Sequence, residues 1–185
     1  MSAVDEPELV DPDRDPAATL QADPESVART ICLNQLTAAP RTRAQLAQTL
    51  AKRGVPDDVA GRVLDRFTEV GLIDDAAYAA AWVESRQAGR GLARRALAQE
   101  LRTKGVAADV AAEALDAVTA DDERAAAEQL VRRKLASTRG LPTDTRVRRL
   151  AALLGRKGYS SGLAYAVVRD ALATEGTDLA DWGTS

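Results

Sequence analysis

The chain has 185 residues, of which 29% are charged and only 3% aromatic, and its formal net charge is −3. It contains no histidine and one cysteine, which excludes a Ser-His or Cys-His nucleophile, an intrachain disulfide and any metal site not built from carboxylates. It has no apolar run long enough to span a bilayer, and its first residues have neither the basic region nor the apolar core that a signal sequence needs. We therefore expect a cytoplasmic protein that is not an enzyme, needs no cofactor or metal, and does not contact membranes.

The two ends of the chain are acidic, whereas the part between them is basic. Residues 1–25 carry eight acids against one arginine, a net charge of −7, and residues 174–185 carry −3. The whole-chain charge of −3 therefore leaves +7 on residues 26–173. A basic body favours an anionic partner, although a merely solvated helical surface has the same composition.

The first helix of the chain is predicted to follow an acidic, disordered tail. Residues 1–24 are rich in Pro and Asp and show no apolar periodicity, so they bury too little apolar surface to offset the entropy of ordering. Helical periodicity begins at Asp23-Pro24-Glu25, which suits a capped helix start with acids near the N-terminus of the helix. The C-terminal residues 174–185 return to a loop-like composition and are predicted to be flexible.

Local sequence signals predict where the following helices begin and end. Thr42 and Gln45 have the spacing of a capping box, Pro56 suits the first turn of the next helix, and Gly71 can end that helix. Asp74-Asp75 then opens a new unit. Later in the chain, the stretch TRGLPTDT is predicted to be a loop, with Asp144 or Thr145 as the following helix cap.

A repeat of about fifty residues organises this pattern. Gly54, Gly105 and Gly158 lie 51 and 53 residues apart, and each follows a helical stretch ending in basic or polar residues. Leucines precede each glycine by four and eight residues, on one helical face: Leu46, Leu50, Leu97, Leu101, Leu150 and Leu154. Counting back 23 and 27 residues without a gap predicts the core of each first helix as Ile31 and Val27, Trp82 and Tyr78, and Leu135 and Val131.

The predicted fold is all-α, with three tandem three-helix repeats in an elongated, curved array. Each repeat is too small to bury its apolar faces alone, so stacking on its neighbours completes the core. The predicted organisation is an acidic tail at 1–24, repeats at 25–73, 74–120 and 121–173, and a C-terminal tail at 174–185.

Two consecutive segments carry a resemblance to a known family. GLIDDAAYAAAWVESR, from Gly71, and GRGLARRALAQELRTKGV, from Gly89, resemble the central signature of the RecX family of recombination regulators. The resemblance covers residues 26–172 and implies three tandem three-helix repeats. It also implies that the chain binds the filament formed by the RecA recombinase on single-stranded DNA. Inhibition of ATP hydrolysis, strand exchange and the promotion of repressor cleavage, in recombination, DNA repair and the SOS response, is the implied function.

Basic residues of the second and third repeats are the predicted contacts with the filament. Arg90 is the foremost candidate, because a guanidinium between two glycines suits a phosphate or carboxylate. For any single residue, a solvated side chain whose stem covers apolar neighbours is an equally simple explanation. The predicted set is Arg86, Arg90, Arg94, Arg95, Lys104, Arg132, Arg133, Arg146 and Arg149.

The scarcity of aromatic residues limits how DNA is contacted. Whether the chain touches single-stranded DNA directly stays open, but such a contact would be to the backbone, salt-sensitive and poor in sequence information. We expect the chain to act as a monomer on the RecA filament.

Several other features are better explained by structure than by chemistry. Asp74 and Asp75 are adjacent acids at a helix start, which is typical of caps rather than of a metal or acid-base pair. Tyr78 and Trp82 lie one turn apart and are predicted to be core residues rather than a base-stacking platform. Cys32 is predicted to be a small buried apolar residue.

A sequence-specific helix-turn-helix DNA binder is the main alternative function, because three-helix units with short turns also build such proteins. The predicted third helices, PDDVAGRVLDRF and AADVAAEALDAV, are alanine-rich or acidic and lack an Arg, Asn or Gln face for reading bases. A plain helical scaffold that binds other proteins is a third possibility.

Overall fold

The computed structural model describes residues 23–176, which form nine α-helices and one short 3₁₀ helix, without a strand. None of these helices is long and apolar enough to cross a membrane. The predicted tails, 1–24 and 174–185, lie outside the described residues except at their inner ends, where Pro24 begins α1, Thr174 ends α9 and Glu175 pairs with Arg139 and Arg146. The helices are α1 (Pro24–Ala38), α2 (Arg43–Lys52), α3 (Asp57–Glu69), α4 (Asp75–Arg90), α5 (Arg94–Thr103), α6 (Ala108–Asp116), α7 (Ala120–Leu135), the 3₁₀ helix Ala136–Thr138, α8 (Thr143–Arg156) and α9 (Ser161–Thr174).

The helices pack in three consecutive groups of three, which confirms the predicted all-α fold of tandem three-helix repeats. Extensive helix contacts occur within α1–α3, within α4–α6 and within α7–α9, and each group surrounds an apolar core. We call these groups the first, second and third repeats. Leucines of the second helix in each group are at most 1% exposed, as the repeat pattern predicted: Leu46, Leu50, Leu97, Leu101, Leu150 and Leu154.

The predicted helix signals account for most helix ends. Thr42 and Gln45 form a capping box at the start of α2, and Asp74 caps α4 by accepting a hydrogen bond from the amide of Ala77. Gly105 and Gly158 have φ angles of +76° and +91°, and a residue with a side chain would be strained in this backbone conformation. The predicted helix stops are therefore confirmed at these glycines.

One local prediction was wrong. Helix α8 begins at Thr143, directly after Pro142, rather than after Asp144 or Thr145. Proline fixes its own φ and donates no hydrogen bond, so it suits the position just before a helix.

The two glycines beside Arg90 differ in conformation. Helix α4 continues through Gly89 to Arg90 and ends only at Gly91, which has a φ angle of +57°.

The predicted core of the first helices was only partly right: Val131 is fully buried as predicted, and Ile31 and Leu135 pack against the core clusters. The most buried pairs are Ala28 and Cys32 in α1, Ala79 and Val83 in α4, and Ala127 and Val131 in α7. Val27 is exposed, and Tyr78 and Trp82 only pack against the core from its edge. Cys32 is fully buried, as predicted, and burial raises the pKa of its thiol. The core residues of the first and second helices are five positions further apart in the third repeat than in the second. Val131 and Leu150 are separated by 19 positions, whereas Val83 and Leu97 are separated by 14.

Candidate partner-binding surface

The second helices of the three repeats meet end to end. The carbonyl oxygen of Lys157, after the end of α8, accepts a hydrogen bond of 2.9 Å from the amide of Ala93, before α5. The carbonyl oxygen of Lys104, after the end of α5, accepts one of 2.7 Å from the hydroxyl of Thr42, before α2. Helix C-termini carry partial negative charge and N-termini partial positive charge, so this order of contacts is electrostatically favourable. Helices α8, α5 and α2 thus form a chain of abutting helices through the molecule.

At both junctions, the arginine that begins the second helix of one repeat also bonds to the next repeat. The amide of Arg43 donates to Asp75 in the next repeat, and its guanidinium pairs with Asp65 at 2.7 Å. The amide of Arg94 likewise donates to Glu123 in the next repeat, at 2.8 Å. Its guanidinium pairs with Asp116 at 2.7 Å and donates to the carbonyl of Leu115 at 2.6 Å. Arg94, a predicted contact residue, is therefore part of the scaffold.

The Gly89–Gly91 segment also belongs to a junction. The carbonyl oxygens of Arg90 and Gly91 accept hydrogen bonds from the Lys157 ammonium at 2.9 Å and the Tyr159 hydroxyl at 3.1 Å. Burial, with the nearby Glu123 carboxylate, raises the pKa of Tyr159 to about 12, which keeps its hydroxyl protonated as a donor. The side chain of Arg90 stays exposed.

Three further predicted contact residues have partners inside the chain. Arg86 and Lys104 each place their charged groups 4.0 Å from the centre of the Trp82 ring, and Arg86 also pairs with Glu100. Arg146 is only 7% exposed, and it bonds to Thr138 and Glu175. These charges hold neighbouring elements together, so we do not retain Arg86, Lys104 or Arg146 in the candidate surface.

The remaining predicted residues are exposed and lie on four helices, α4, α5, α7 and α8. The side chains of Arg90, Arg95 and Arg149 form no hydrogen bond or ion pair within residues 23–176. Arg133 folds back onto Gln129 of its own helix. Arg132 lines a groove between α7 and α9 that also contains the carboxylates of Glu128, Asp170 and Glu175. Those carboxylates make the α7 side less suited to an anionic partner than α5 and α8.

Helices α5 and α8 present five exposed arginines, which we call the second-helix arginine row. Arg95 and Arg149 were predicted, whereas the prediction missed Arg102, Arg148 and Arg156. Arg95 and Arg102 line a groove of about 570 Å³ against α6, and the three arginines of α8 line one of about 480 Å³. A spacing of seven residues, from 95 to 102 and from 149 to 156, puts each pair on one helical face and could have revealed the row.

The chain matches three family models over most of its described length. These are the first, second and third three-helix domains of RecX, which match residues 28–67, 74–115 and 121–168. Among similar proteins, the regulatory protein RecX of Thermobifida fusca is 59% identical over 152 residues, covering 82% of each chain. That of Streptomyces coelicolor is 58% identical over 156 residues, covering 84% of this chain and 83% of its own.

Solved structures show the same architecture. The crystal structure of RecX from Lactobacillus salivarius superposes with a TM-score of 0.74 at 19% identity, covering 80% of this chain and 96% of that one. A second crystal structure, of a regulatory protein RecX, gives a TM-score of 0.72 at 27% identity over 83% of this chain and 75% of that one. By its three domain matches and its close relatives, the chain belongs to the RecX family of regulatory proteins.

Proposed function

We propose that this chain is a noncatalytic regulator that binds the RecA filament on single-stranded DNA and inhibits its ATP hydrolysis, strand exchange and promotion of repressor cleavage. The proposal is supported by family membership, since the relatives are named regulatory protein RecX. It is also supported by the absence of histidine from the sequence, which removes the most common general base.

The second-helix arginine row is the observation that carries the proposed mode of binding. Helices α5 and α8 contain 10 and 14 residues, so their combined length is about 36 Å, more than the width of a small domain. Arginines spread over that length can contact more than one subunit of a repeating partner. Individually weak, exposed ion pairs then add through effective concentration.

Helix α6, the third helix of the second repeat, argues against sequence-specific DNA recognition. Helix α6 exposes Ala108, Asp109, Ala112, Glu113 and Asp116, which offer no bidentate donor to a base and would repel phosphates. The arginines that line the two grooves described above lie on the second helices instead. This arrangement favours contact with an acidic protein surface or the nucleic-acid backbone over reading of a duplex sequence.

An ATPase assay tests the proposal. RecA is assembled on single-stranded DNA, and its ATP hydrolysis is measured while the regulator is added at substoichiometric amounts. The proposal requires a lower rate, and an unchanged rate at saturating regulator refutes it. Adding the regulator before nucleation in a parallel assay separates capping of filament growth, which depends on the order of addition, from binding along a finished filament.

A further inference from the structure

An apolar groove crosses the junction of the first and second repeats, away from the second-helix arginine row. It has a volume of about 490 Å³ and lies between the end of α1, the α1–α2 connection and α4. Leu72 on its rim is 48% exposed, and Leu33, one turn from the lining residue Leu36, is 46% exposed. Leucines exposed to this extent beside an apolar groove indicate a surface that another segment covers.

One wall of the groove is a fixed aromatic pair. The rings of Tyr78 and Trp82 are stacked, with centroids 5.9 Å apart and planes inclined by 13°. The indole nitrogen of Trp82 donates to Glu100 at 2.8 Å, and Arg86 and Lys104 lie over its ring. These contacts hold the indole in place, so the wall is preorganised for an apolar side chain.

A guanidinium without a partner lies beside this wall. Arg41 lines the groove, its Nε is buried, and within residues 23–176 its side chain forms no hydrogen bond or ion pair. A buried donor left unpaired is costly, and a carboxylate is the side chain that best satisfies a guanidinium. Asp74 also lines the groove, Arg86 is paired with Glu100, and Asp75 lies near Tyr78, so the nearby charges largely cancel and do not supply Arg41 with a bonded carboxylate within residues 23–176.

We propose that the groove binds the segment Glu8-Leu9-Val10-Asp11 of the same chain. Leu9 and Val10 would pack against the Tyr78–Trp82 wall while a flanking carboxylate pairs with Arg41. Within residues 1–22 this is the only adjacent pair of large apolar residues enclosed by acids. Glu8 and Asp11 flank this pair, so the segment offers Arg41 a carboxylate on either side.

The geometry of the chain allows this contact. Helix α1 begins at Pro24, and the groove starts at Leu36, about 18 Å further along the helix at 1.5 Å per residue. The 13 positions from Asp11 to Pro24 span at most about 45 Å, so the segment is long enough to reach the groove. A contact within one chain is favoured by effective concentration, so a weak contact would suffice.

Disulfide trapping in the full chain tests this contact. Pro12→Cys is combined with Ala81→Cys, in the groove, or with Ala80→Cys, an exposed neighbour on α4 that does not line it. Native Cys32 stays in place because it is buried. At submicromolar protein, we expect the intramolecular disulfide with position 81 to form about tenfold faster than that with position 80. Equal rates overturn the proposal, as do disulfide-linked dimers, which would mean that a second copy supplies the segment.

Two further variants separate the proposed contact from mere proximity. Leu9→Ser with Val10→Ser removes the apolar anchor without changing charge, and Arg41→Gln removes the guanidinium without touching the tail. Each should bring the two trapping rates to within about twofold of each other. A tenfold preference for position 81 that survives both changes would show that neither the apolar pair nor Arg41 holds the segment, and would refute the proposal.

Discussion

Arg94 and Arg95 are adjacent in the sequence, but their side chains have opposite surroundings. The guanidinium of Arg94 is bonded to Leu115 and Asp116, whereas that of Arg95 is exposed and forms no hydrogen bond or ion pair within the described residues. One residue along a helix turns the side chain by about 100°, which is enough to separate a scaffold arginine from a contact arginine. These two residues therefore provide a matched pair of single substitutions.

Arg94→Ala should lower the free energy of unfolding by about 1 kcal/mol, because it leaves the Leu115 carbonyl and the Asp116 carboxylate without their partner. Arg95→Ala should change it by less than about 0.5 kcal/mol, as is usual for exposed positions. Urea denaturation measures both. If Arg95→Ala proves the more destabilising, the division into scaffold and contact arginines is wrong.

The pairing of Glu175 with Arg146 and Arg139 predicts a pH-dependent stability. These guanidinium groups lower the pKa of Glu175 below its ordinary value of 4.5, so the folded chain prefers the carboxylate more than the unfolded chain does. The contribution is complete above the unfolded pKa and is lost as pH falls through the folded pKa.

Glu175→Gln should therefore lower the melting temperature at pH 7, and its difference from wild type should shrink as the pH is brought to about 2. Thermal melts followed by circular dichroism across this range measure the effect, with Glu69→Gln on the exposed face of α3 as a control. A difference between wild type and Glu175→Gln that stays constant with pH would contradict the assignment.

The surroundings of single arginines explain why the predicted contact set could be only partly useful. Sequence counting identifies basic repeats, and the structure leaves Arg90, Arg95 and Arg149 exposed and available. Sequence counting cannot show that Arg146 is buried against Glu175, because these residues lie 29 positions apart and meet only when α8 and α9 pack.

At the scale of helices, the repeated junction is the feature on which the array depends. The close approach of Gly158 to the start of α5 leaves no space for a side chain: a Cβ there would lie 2.7 Å from the Cβ of Ala96 and 2.8 Å from its amide nitrogen. At the free end of the array, Gly54 has a similar φ of +75°, but a Cβ there would meet nothing within 4 Å. The two glycines differ in their neighbours and not in their backbone.

Gly158→Ala should therefore destabilise the chain more than Gly54→Ala. Both substitutions place alanine in a left-handed conformation, at a cost of about 1–3 kcal/mol, but only Gly158→Ala adds a clash with backbone, worth about 1–3 kcal/mol more. Denaturant unfolding of the two variants gives the comparison. Equal losses in the free energy of unfolding would show that the junction between the second and third repeats accommodates the added methyl group without loss of stability.

Core prediction from sequence was reliable for the second helices, but for the first helices it was one residue off in α1 and α4 and one turn off in α7, where a connection changes length. Within each second helix, helical geometry keeps the spacing of the leucines and the glycine constant. Leu97, Leu101 and Gly105 could therefore be aligned with the equivalent residues of the first and third repeats. The connection after α7 holds a 3₁₀ helix and a left-handed Gly140, which add residues that no periodicity reveals. A gapless count across it therefore moved the predicted core away from Ala127.

For the whole molecule, the arrangement of charge separates the two candidate functions. The second-helix arginine row runs over two repeats, and the exposed face of α6 is acidic or small. We expect binding to bare single-stranded DNA, if it occurs, to weaken steeply between about 50 and 200 mM salt and to show little sequence preference. Fluorescence anisotropy with unrelated oligonucleotides measures this. A preference of about 1,000-fold for one duplex sequence would instead support the helix-turn-helix alternative.

The central claim is that the second-helix arginine row engages the RecA filament. The most direct measurement compares wild type with the quadruple variant Arg95→Gln, Arg102→Gln, Arg149→Gln and Arg156→Gln in the filament ATPase assay. A control with the same loss of charge replaces exposed arginines of other helices by glutamine: Arg29, Arg62, Arg66 and Arg169.

We expect the row variant to need at least about tenfold more protein for half-maximal inhibition, while the control variant inhibits like wild type. Equal melting temperatures and helicity of the three proteins would show that the loss is one of contact and not of folding. Inhibition by the row variant at the wild-type concentration, with both variants folded, would contradict the account.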